Sequence, residues 1–165
     1  MELLVVISII GVLASIILAS LGSARVKARD AQRKSDIHQI QLALQLYYTD
    51  YGVYPTSGGA FGPNGFWSNS NDPSWATLAT ALAPYIKKLP QDPQQTPSDG
   101  TINIWPFGTG IYSYTYYGYG CTAGAGYMIV WRPESGAGVL SQGVTLCGTV
   151  YNYGNGSITT GISGN

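Results

Sequence analysis

The sequence LLVVISIIGVLASIILASL, residues 3–21, decides the fold, because it runs for nineteen residues without a charged side chain. At about 1.5 Å per residue, a helix of this length spans roughly 28 Å, close to the apolar thickness of a lipid bilayer. Its polar side chains are three serines, whose hydroxyl groups can donate to carbonyl groups one turn earlier. Glu2 precedes the stretch, and basic residues are frequent in residues 25–34. The stretch therefore predicts a helix buried in lipid or against other apolar helices.

The positions of the charged residues around this helix distinguish a cleavable secretory signal from a membrane anchor. A cleavable secretory signal would carry basic residues before the apolar stretch, whereas here an acid stands in front and the basic residues follow. A single-span membrane anchor is the second interpretation. An ionisable group at the edge of a membrane segment is a functional-site hypothesis, which makes Glu2 the first candidate site residue.

The helix is predicted to continue through residues 23–51, which contain no proline. Apolar residues recur there at spacings of three and four, which is typical of a helix with one buried face. These residues are Ile37, Ile40, Leu44, Tyr47 and Tyr51, with Leu42 and Leu46 expected to widen the face. We predict one helix over residues 1–51, apolar all round in residues 1–22 and amphipathic in residues 23–51. The amphipathic half is expected to pack under a globular head formed by residues 52–165.

The head is predicted to combine a short helix with antiparallel strands. Gly52 and Pro55 end the long helix, and a glycine-rich loop follows over residues 56–72. Asp72 and Pro73 mark the start of a short helix that runs to about residue 86. Strands are expected over residues 111–117, 127–132 and 144–151, and a polar tail over residues 152–165. The fold class is therefore α+β, a long N-terminal helix packed against a small antiparallel sheet.

Three motifs carry a resemblance to a known family. They are ELLVVISIIGVLA in residues 2–14, YGVYP in residues 51–55 and LPQDP in residues 89–93. Together they resemble the type IV pilins and the type II secretion pseudopilins, and the match at the N-terminus extends over about the first 25 residues. The family places four residues before its glutamate, where this chain has Met1 alone. A proline that the family often carries aligns with Ala19.

The resemblance implies that copies polymerise through their N-terminal helices. It assigns assembly roles to Glu2, Met1 and Gly11, with the Glu2 carboxylate pairing with the N-terminal amine of an adjacent copy. Gly11 weakens a helix by roughly 1 kcal/mol relative to alanine, and the family's helix melts near this position. The implied filament core consists of Leu3, Leu4, Val5, Val6, Ile7, Ile9, Ile10, Val12, Leu13, Ile16, Ile17 and Leu18.

The expected function is that of a structural subunit, a major pilin of a type IV pilus. The alternatives are a pseudopilin of a type II secretion system and a non-polymerising membrane-anchored binding domain outside the cell. The implied partners are further copies of the chain in a helical filament, the prepilin peptidase and the pilus assembly machinery. The protein is expected in the bacterial inner membrane before assembly and in an extracellular surface filament afterwards.

Other function classes find little support in the sequence. The formal net charge is zero, and the acids Asp30 and Asp36 interrupt the basic segment, so we predict no nucleic-acid partner and a solvated or intersubunit helix face. No motif for catalysis or a cofactor is present, so we expect neither an enzyme nor a cofactor. The acids Asp92, Asp99 and Glu134 are too scattered to predict a metal site.

Two cysteines lie in the C-terminal part of the sequence. If the head is outside the cytoplasm, Cys121 and Cys147 are expected to form a disulfide that closes a loop of about 26 residues. Two buried free thiols are the alternative.

Overall fold

The computed structural model describes residues 2–57, 67–96, 112–118, 124–136, 143–146, 148–151 and 156–162. Helix α1 spans Glu2–Tyr51 and helix α2 spans Trp75–Leu82. The strands are β1 (Ser68–Asn69), β2 (Thr115–Tyr117), β3 (Tyr127–Trp131), β4 (Val144–Leu146), β5 (Thr149–Tyr151) and β6 (Ile158–Ile162). The fold is α+β, which confirms the predicted class.

The strands form a four-stranded sheet in the order β1-β2-β3-β6 and a separate pair, β4-β5. Every pairing is antiparallel. Strand β3, with the sequence YMIVW, is buried along its whole length. Its apolar side chains alternate between two clusters, because successive residues of a strand point to opposite faces. Tyr127 and Ile129 face α1, whereas Met128 and Val130 contact β4 residues on the other side.

Two strand predictions are corrected by the structure. Residues 144–151 were expected to form one strand, but they form β4 and β5, and Gly148 lies between these strands with φ at 70°. A left-handed φ at this position suits a tight turn, which glycine makes without steric cost. The predicted polar tail of residues 152–165 contains β6, which pairs with β3 from Tyr127↔Ile162 to Trp131↔Ile158.

The amphipathic half of α1 packs on the sheet through a narrower face than expected. Ile37, Ile40 and Leu44 are buried against head residues in the main core cluster. Leu42 and Leu46, which were expected to widen this face, are each 52% exposed, so that prediction is wrong. At about 100° per residue, both leucines lie on the side of α1 that points away from the head.

Turns at the helix ends fix how the chain enters the head. Gly52 has φ at 69°, and its N–H donates to the Tyr48 carbonyl oxygen at 2.8 Å, which is the expected glycine cap. Helix α2 begins after Ser74 rather than after Asp72, and the Asp72 carboxylate accepts the Ser74 N–H at 2.7 Å. It ends at Leu82, earlier than the predicted residue 86, as the proline at position 84 favours.

Candidate assembly surface and head anchor

The apolar half of α1 has no partner within the described protein. Its large side chains are between 53% and 78% exposed from Leu3 to Leu18. By length and composition, α1 can cross a membrane, and none of its most apolar stretch is buried. We call this set the assembly surface; its members are Leu3, Leu4, Val5, Val6, Ile7, Ile9, Ile10, Val12, Leu13, Ile16, Ile17 and Leu18.

The serine hydroxyl groups within this half are satisfied by the helix itself. The hydroxyl groups of Ser8, Ser15 and Ser20 donate to the carbonyl oxygens of residues 4, 12 and 17 at 2.7–2.9 Å. The surface therefore presents apolar groups to lipid or to other helices without unpaired hydroxyl groups. The helix continues through Gly11, around which there is open space.

The other predicted site residues have limited structural description. Glu2 is the first residue of α1, and its side chain lies outside the described set, as does Met1. The pairing of the Glu2 carboxylate with a neighbouring amine therefore stays a prediction. Cys121 and Cys147 also lie outside the described residues, so their disulfide stays a prediction.

A buried ion-pair cluster anchors the head to the amphipathic half of α1. Arg33 is fully buried, and its guanidinium group donates to both carboxylate oxygens of Asp92, at 2.8 and 2.9 Å. Asp92 belongs to the LPQDP turn, and its Oδ1 also accepts the Gln94 N–H at 2.8 Å. The indole N–H of Trp75 donates to the carbonyl oxygen of Pro90 at 3.2 Å. A two-bond arginine–carboxylate pair fixes both distance and orientation, so it sets the position of this turn on α1.

A second part of the cluster connects α1 to the chain after β3. Arg33 Nη1 lies 2.7 Å from Oδ1 of Asp30 and 2.7 Å from Oε1 of Glu134. Arg29 Nε donates to Glu134 Oε1 at 2.6 Å. Asp30 accepts the backbone N–H groups of Glu134 and Ser135 at 2.8 and 3.1 Å. The hydrogen bond from Arg29 lowers the pKa of the Glu134 carboxyl, with Arg33 contributing in the same direction.

Tyrosine side chains close the cluster against the sheet. The Tyr114 hydroxyl group donates to Asp36 Oδ2 at 2.8 Å, and Tyr114 is fully buried. Burial, together with the neighbouring Asp36 carboxylate, raises the pKa of Tyr114, so the phenol stays protonated. The Tyr112 ring centroid lies 4.9 Å from the Arg33 guanidinium carbon, at cation–π distance. Two arginines from α1 are thus held by acids and aromatic groups from three parts of the head.

These contacts correct the prediction for the basic segment. Arg29 and Arg33 bind the head instead of lying on a solvated or intersubunit face, although Arg25 and Lys34 are exposed. A signal was present in the sequence, because Arg33 lies one turn before Ile37 on the face that the apolar residues continue. Asp92 and Glu134 lie far apart in the sequence, but in the structure both carboxylates contact Arg33. Among the described residues, no group of three acidic, histidine or cysteine side chains could hold a metal ion.

Comparison with known proteins assigns the family. A family model described as type II secretion system (T2SS), protein G, matches residues 20–99. The chain is 35% identical over 117 residues to the type II secretion system core protein G of Aeromonas hydrophila, which covers 66% of this chain and 78% of that protein. It is 31% identical over 115 residues to the same-named protein of Vibrio cholerae, covering 66% of this chain and 76% of that protein. No solved structure matches the chain.

A long, exposed apolar helix under a small antiparallel head defines a pilin-like fold. Within that class, the chain belongs to the family of the type II secretion system core protein G, the pseudopilins. The predicted resemblance is thereby confirmed, and the matches favour the pseudopilin alternative over the type IV pilin.

Proposed function

We propose that this protein is a pseudopilin whose copies polymerise through the assembly surface into the pseudopilus of a type II secretion system. The observation that carries the proposal is the assembly surface itself, a row of apolar side chains that the rest of the described protein leaves uncovered. Burying one such side chain out of water is worth about 1.5–3 kcal/mol. A surface of this size therefore requires either lipid or other apolar helices around it.

The two environments follow one another in the proposed pathway. The apolar half holds the subunit in the inner membrane first and then packs against the same half of other copies. Repetition of one contact that joins different patches and does not close gives an open helical fibre. In such a fibre, the apolar halves form the core and the heads form the outer wall. The ion-pair cluster around Arg33 holds each head to its helix while the helix changes surroundings.

The proposal changes the function first expected from the sequence. A type IV pilus subunit would share the assembly surface, but the curated relatives quoted above are named as secretion system proteins. A non-polymerising anchored domain would also have an apolar helix, but it gives no reason for an acid at position 2. The proposed partners are further copies of this chain, the prepilin peptidase and the assembly machinery of the secretion system. We propose a structural role without catalysis, and a pseudopilus held at the cell envelope rather than a long surface fibre.

Deletion of the gene separates the pseudopilin from the pilin. We expect secreted proteins to disappear from the culture medium and to accumulate inside the cell, measured by mass spectrometry of both fractions. Long surface fibres, counted by electron microscopy, are expected to be unchanged, and a plasmid-borne copy of the gene should restore secretion. Loss of surface fibres with secretion intact would support the type IV pilus instead.

A further inference from the structure

Acidic and basic side chains are divided unevenly between the interior and the surface of the described protein. The formal net charge of the chain is zero, but Asp30, Asp36 and Asp92 are buried in the ion-pair cluster. Among the acids whose side chains the structure describes, Asp50 alone is exposed, and it lies near the end of α1 that is far from the apolar half. The surface of the described protein is therefore basic. Its exposed cations are Arg25, Lys27, Lys34, Lys87 and Lys88.

Arg25 and Lys27 lie in a bare stretch of α1 between the apolar half and the head. We call residues 22–28 the stem. Its residues are exposed except for Val26, which is half-buried. In the described protein, the hydrogen bonds from α1 to the head begin only at Arg29 and Asp30. The stem is thus a length of about 10 Å to which the described head makes no hydrogen bond.

The position of the stem matches the headgroup layer of a bilayer. The apolar core is about 30 Å thick and the whole bilayer about 40–45 Å, so each headgroup layer is roughly 5–8 Å thick. When residues 3–21 occupy the core, Arg25 and Lys27 lie about 6 and 9 Å beyond Leu21 along the helix axis. Their long side chains can place the charged groups among the headgroups at this level.

The two cations have no acidic partner within the described protein. Neither takes part in an ion pair there. Asp30, the next acid along α1, is buried, and it already binds Arg33 and two backbone N–H groups of the head. Arg25 and Lys27 are therefore available to a negative group from outside the subunit.

We propose that the stem binds the phosphate groups of anionic phospholipids through Arg25 and Lys27 while the subunit is in the membrane. The inference rests on the membrane stage of the proposed function and extends it by naming a lipid partner. Each basic residue at the surface of an anionic bilayer strengthens binding about fivefold. Lys34 is left out of the site, because it lies about 20 Å beyond Leu21, well outside the headgroup layer.

The arrangement of the two cations favours lipid over a protein or a nucleic acid. Positions 25 and 27 are two residues apart, which is about 200° around a helix. Arg25 and Lys27 therefore point to nearly opposite sides of α1 and do not form one continuous patch. Lipids surround a membrane helix on all sides, whereas a single macromolecular partner contacts one side.

Native mass spectrometry of single subunits tests the lipid preference. The full chain in a neutral detergent would be mixed with equal amounts of phosphatidylglycerol and phosphatidylcholine that have the same acyl chains. We expect the parent to retain phosphatidylglycerol about 25-fold more than phosphatidylcholine, and the preference to decrease with added salt. Arg25→Gln/Lys27→Gln should retain the two lipids nearly equally, with an unchanged unfolding temperature in detergent. Arg25→Lys/Lys27→Arg keeps both charges and should keep the preference.

The matched control removes two exposed charges from the head. Lys87→Gln/Lys88→Gln changes the net charge by the same amount, and Lys88 lies beside Gln32 and Asp36, at least 16 Å beyond Leu21 along α1. We expect this variant to keep the parental preference. A loss as large as that in Arg25→Gln/Lys27→Gln would assign the preference to net charge and overturn the site.

Two further outcomes would assign the stem to another ligand. Inorganic phosphate at the concentration of the lipid should not displace phosphatidylglycerol, because it lacks the acyl chains that hold a headgroup beside the stem. Displacement would identify free phosphate as the ligand. If Arg25→Gln/Lys27→Gln keeps the parental lipid preference but no longer polymerises, the stem binds acids of a second copy, and the proposed lipid site is overturned.

The lipid measurement and the gene deletion separate this inference from the proposed function. Lipid retention is measured on single subunits and does not depend on secretion. If deletion blocks secretion but the parent shows no lipid preference, this inference alone is wrong. If the preference is present but deletion leaves secretion intact, the proposed function is wrong and the lipid contact stands.

Discussion

Arg33 carries a positive charge in a fully buried position beneath the head. Removing its charge leaves the carboxylates of Asp92 and Glu134 buried without their shared partner, and breaking a buried pair in this way costs about 3–5 kcal/mol. We therefore expect Arg33→Met to lower the free energy of unfolding by that amount, measured by urea titration of the full chain in detergent. The neighbouring Lys34→Met, an exposed change, should stay within about 0.5 kcal/mol of the parent.

A lysine at position 33 tests whether the shape of the arginine side chain matters in addition to its charge. Lysine keeps the charge but cannot donate two parallel hydrogen bonds to Asp92, as arginine does at 2.8 and 2.9 Å. We expect Arg33→Lys to fall between the parent and Arg33→Met. If Arg33→Met were as stable as Lys34→Met, the cluster would not hold the head.

Glu134 is expected to make the stability of the head depend on pH in the acidic range. Its pKa is lower in the folded protein than the ordinary value of 4.5, because it accepts from Arg29 and lies beside Arg33. A group whose folded pKa is depressed stabilises the fold fully above its unfolded pKa, and this stabilisation disappears as the pH falls through the folded pKa. We expect the unfolding temperature of the parent to drop below about pH 4.5, and Glu134→Gln to show a weaker drop over the same interval. A matching drop in both proteins would assign the acid sensitivity to other carboxylates.

Strand β6 depends on one glycine for its place beside β3. Gly161 lies opposite Met128, and a Cβ atom there would collide with the backbone of Tyr127 and Met128. Because these neighbours are backbone atoms, the strand itself would have to move. We expect Gly161→Ala to destabilise the protein by about 1–3 kcal/mol, as overpacking does. Amide hydrogen exchange should show faster exchange in β6 and along the paired edge of β3.

The adjacent position in β6 provides the control for this element. Ile162 is 39% exposed and pairs with Tyr127, so Ile162→Ala keeps the backbone free to approach β3. We expect this variant to leave exchange in β3 near the parental rate. If amide exchange in β3 and β6 were equally slow in Gly161→Ala and Ile162→Ala, the pairing of β6 with β3 would not depend on a glycine at position 161.

At the scale of the whole molecule, assembly is predicted to depend on Glu2. Glu2→Ala leaves residues 3–21 unchanged, so the subunit should remain in the membrane fraction. The polymer should be lost, because the N-terminal amine of the adjacent copy then lacks the carboxylate that compensates for its removal from water. The measurement is the amount of protein in the sedimenting polymer and in the membrane. Ser8→Ala is the control, because the Ser8 hydroxyl donates only to the carbonyl of its own helix in the subunit. A normal amount of polymer from Glu2→Ala would show that assembly does not need the Glu2 carboxylate.

The sequence by itself determined α1, its division into an apolar and an amphipathic half, and the cap at Gly52. These features depend on helix periodicity, local charge and turn chemistry, all of which act between residues a few positions apart. The α+β class and the pilin-like family followed from the same local motifs. The apolar character of the assembly surface was also set locally, because residues 3–21 contain no charged side chain.

Only the tertiary structure decided how wide a face of α1 the head covers, and with it the exposure of Leu42 and the binding partners of Arg33. Arg33 meets Asp92 across 59 residues of sequence, and Arg29 meets Glu134 across 105. No local pattern fixes such a pairing, because a charged helix residue is equally compatible with solvent and with a distant acid. Strand β6 was missed for the same reason, since the sequence ITTGI is weakly patterned and its place depends on the free edge of β3. Long-range packing determines which acid an arginine of α1 contacts and which segment pairs with the free edge of β3, because local sequence favours several partners equally.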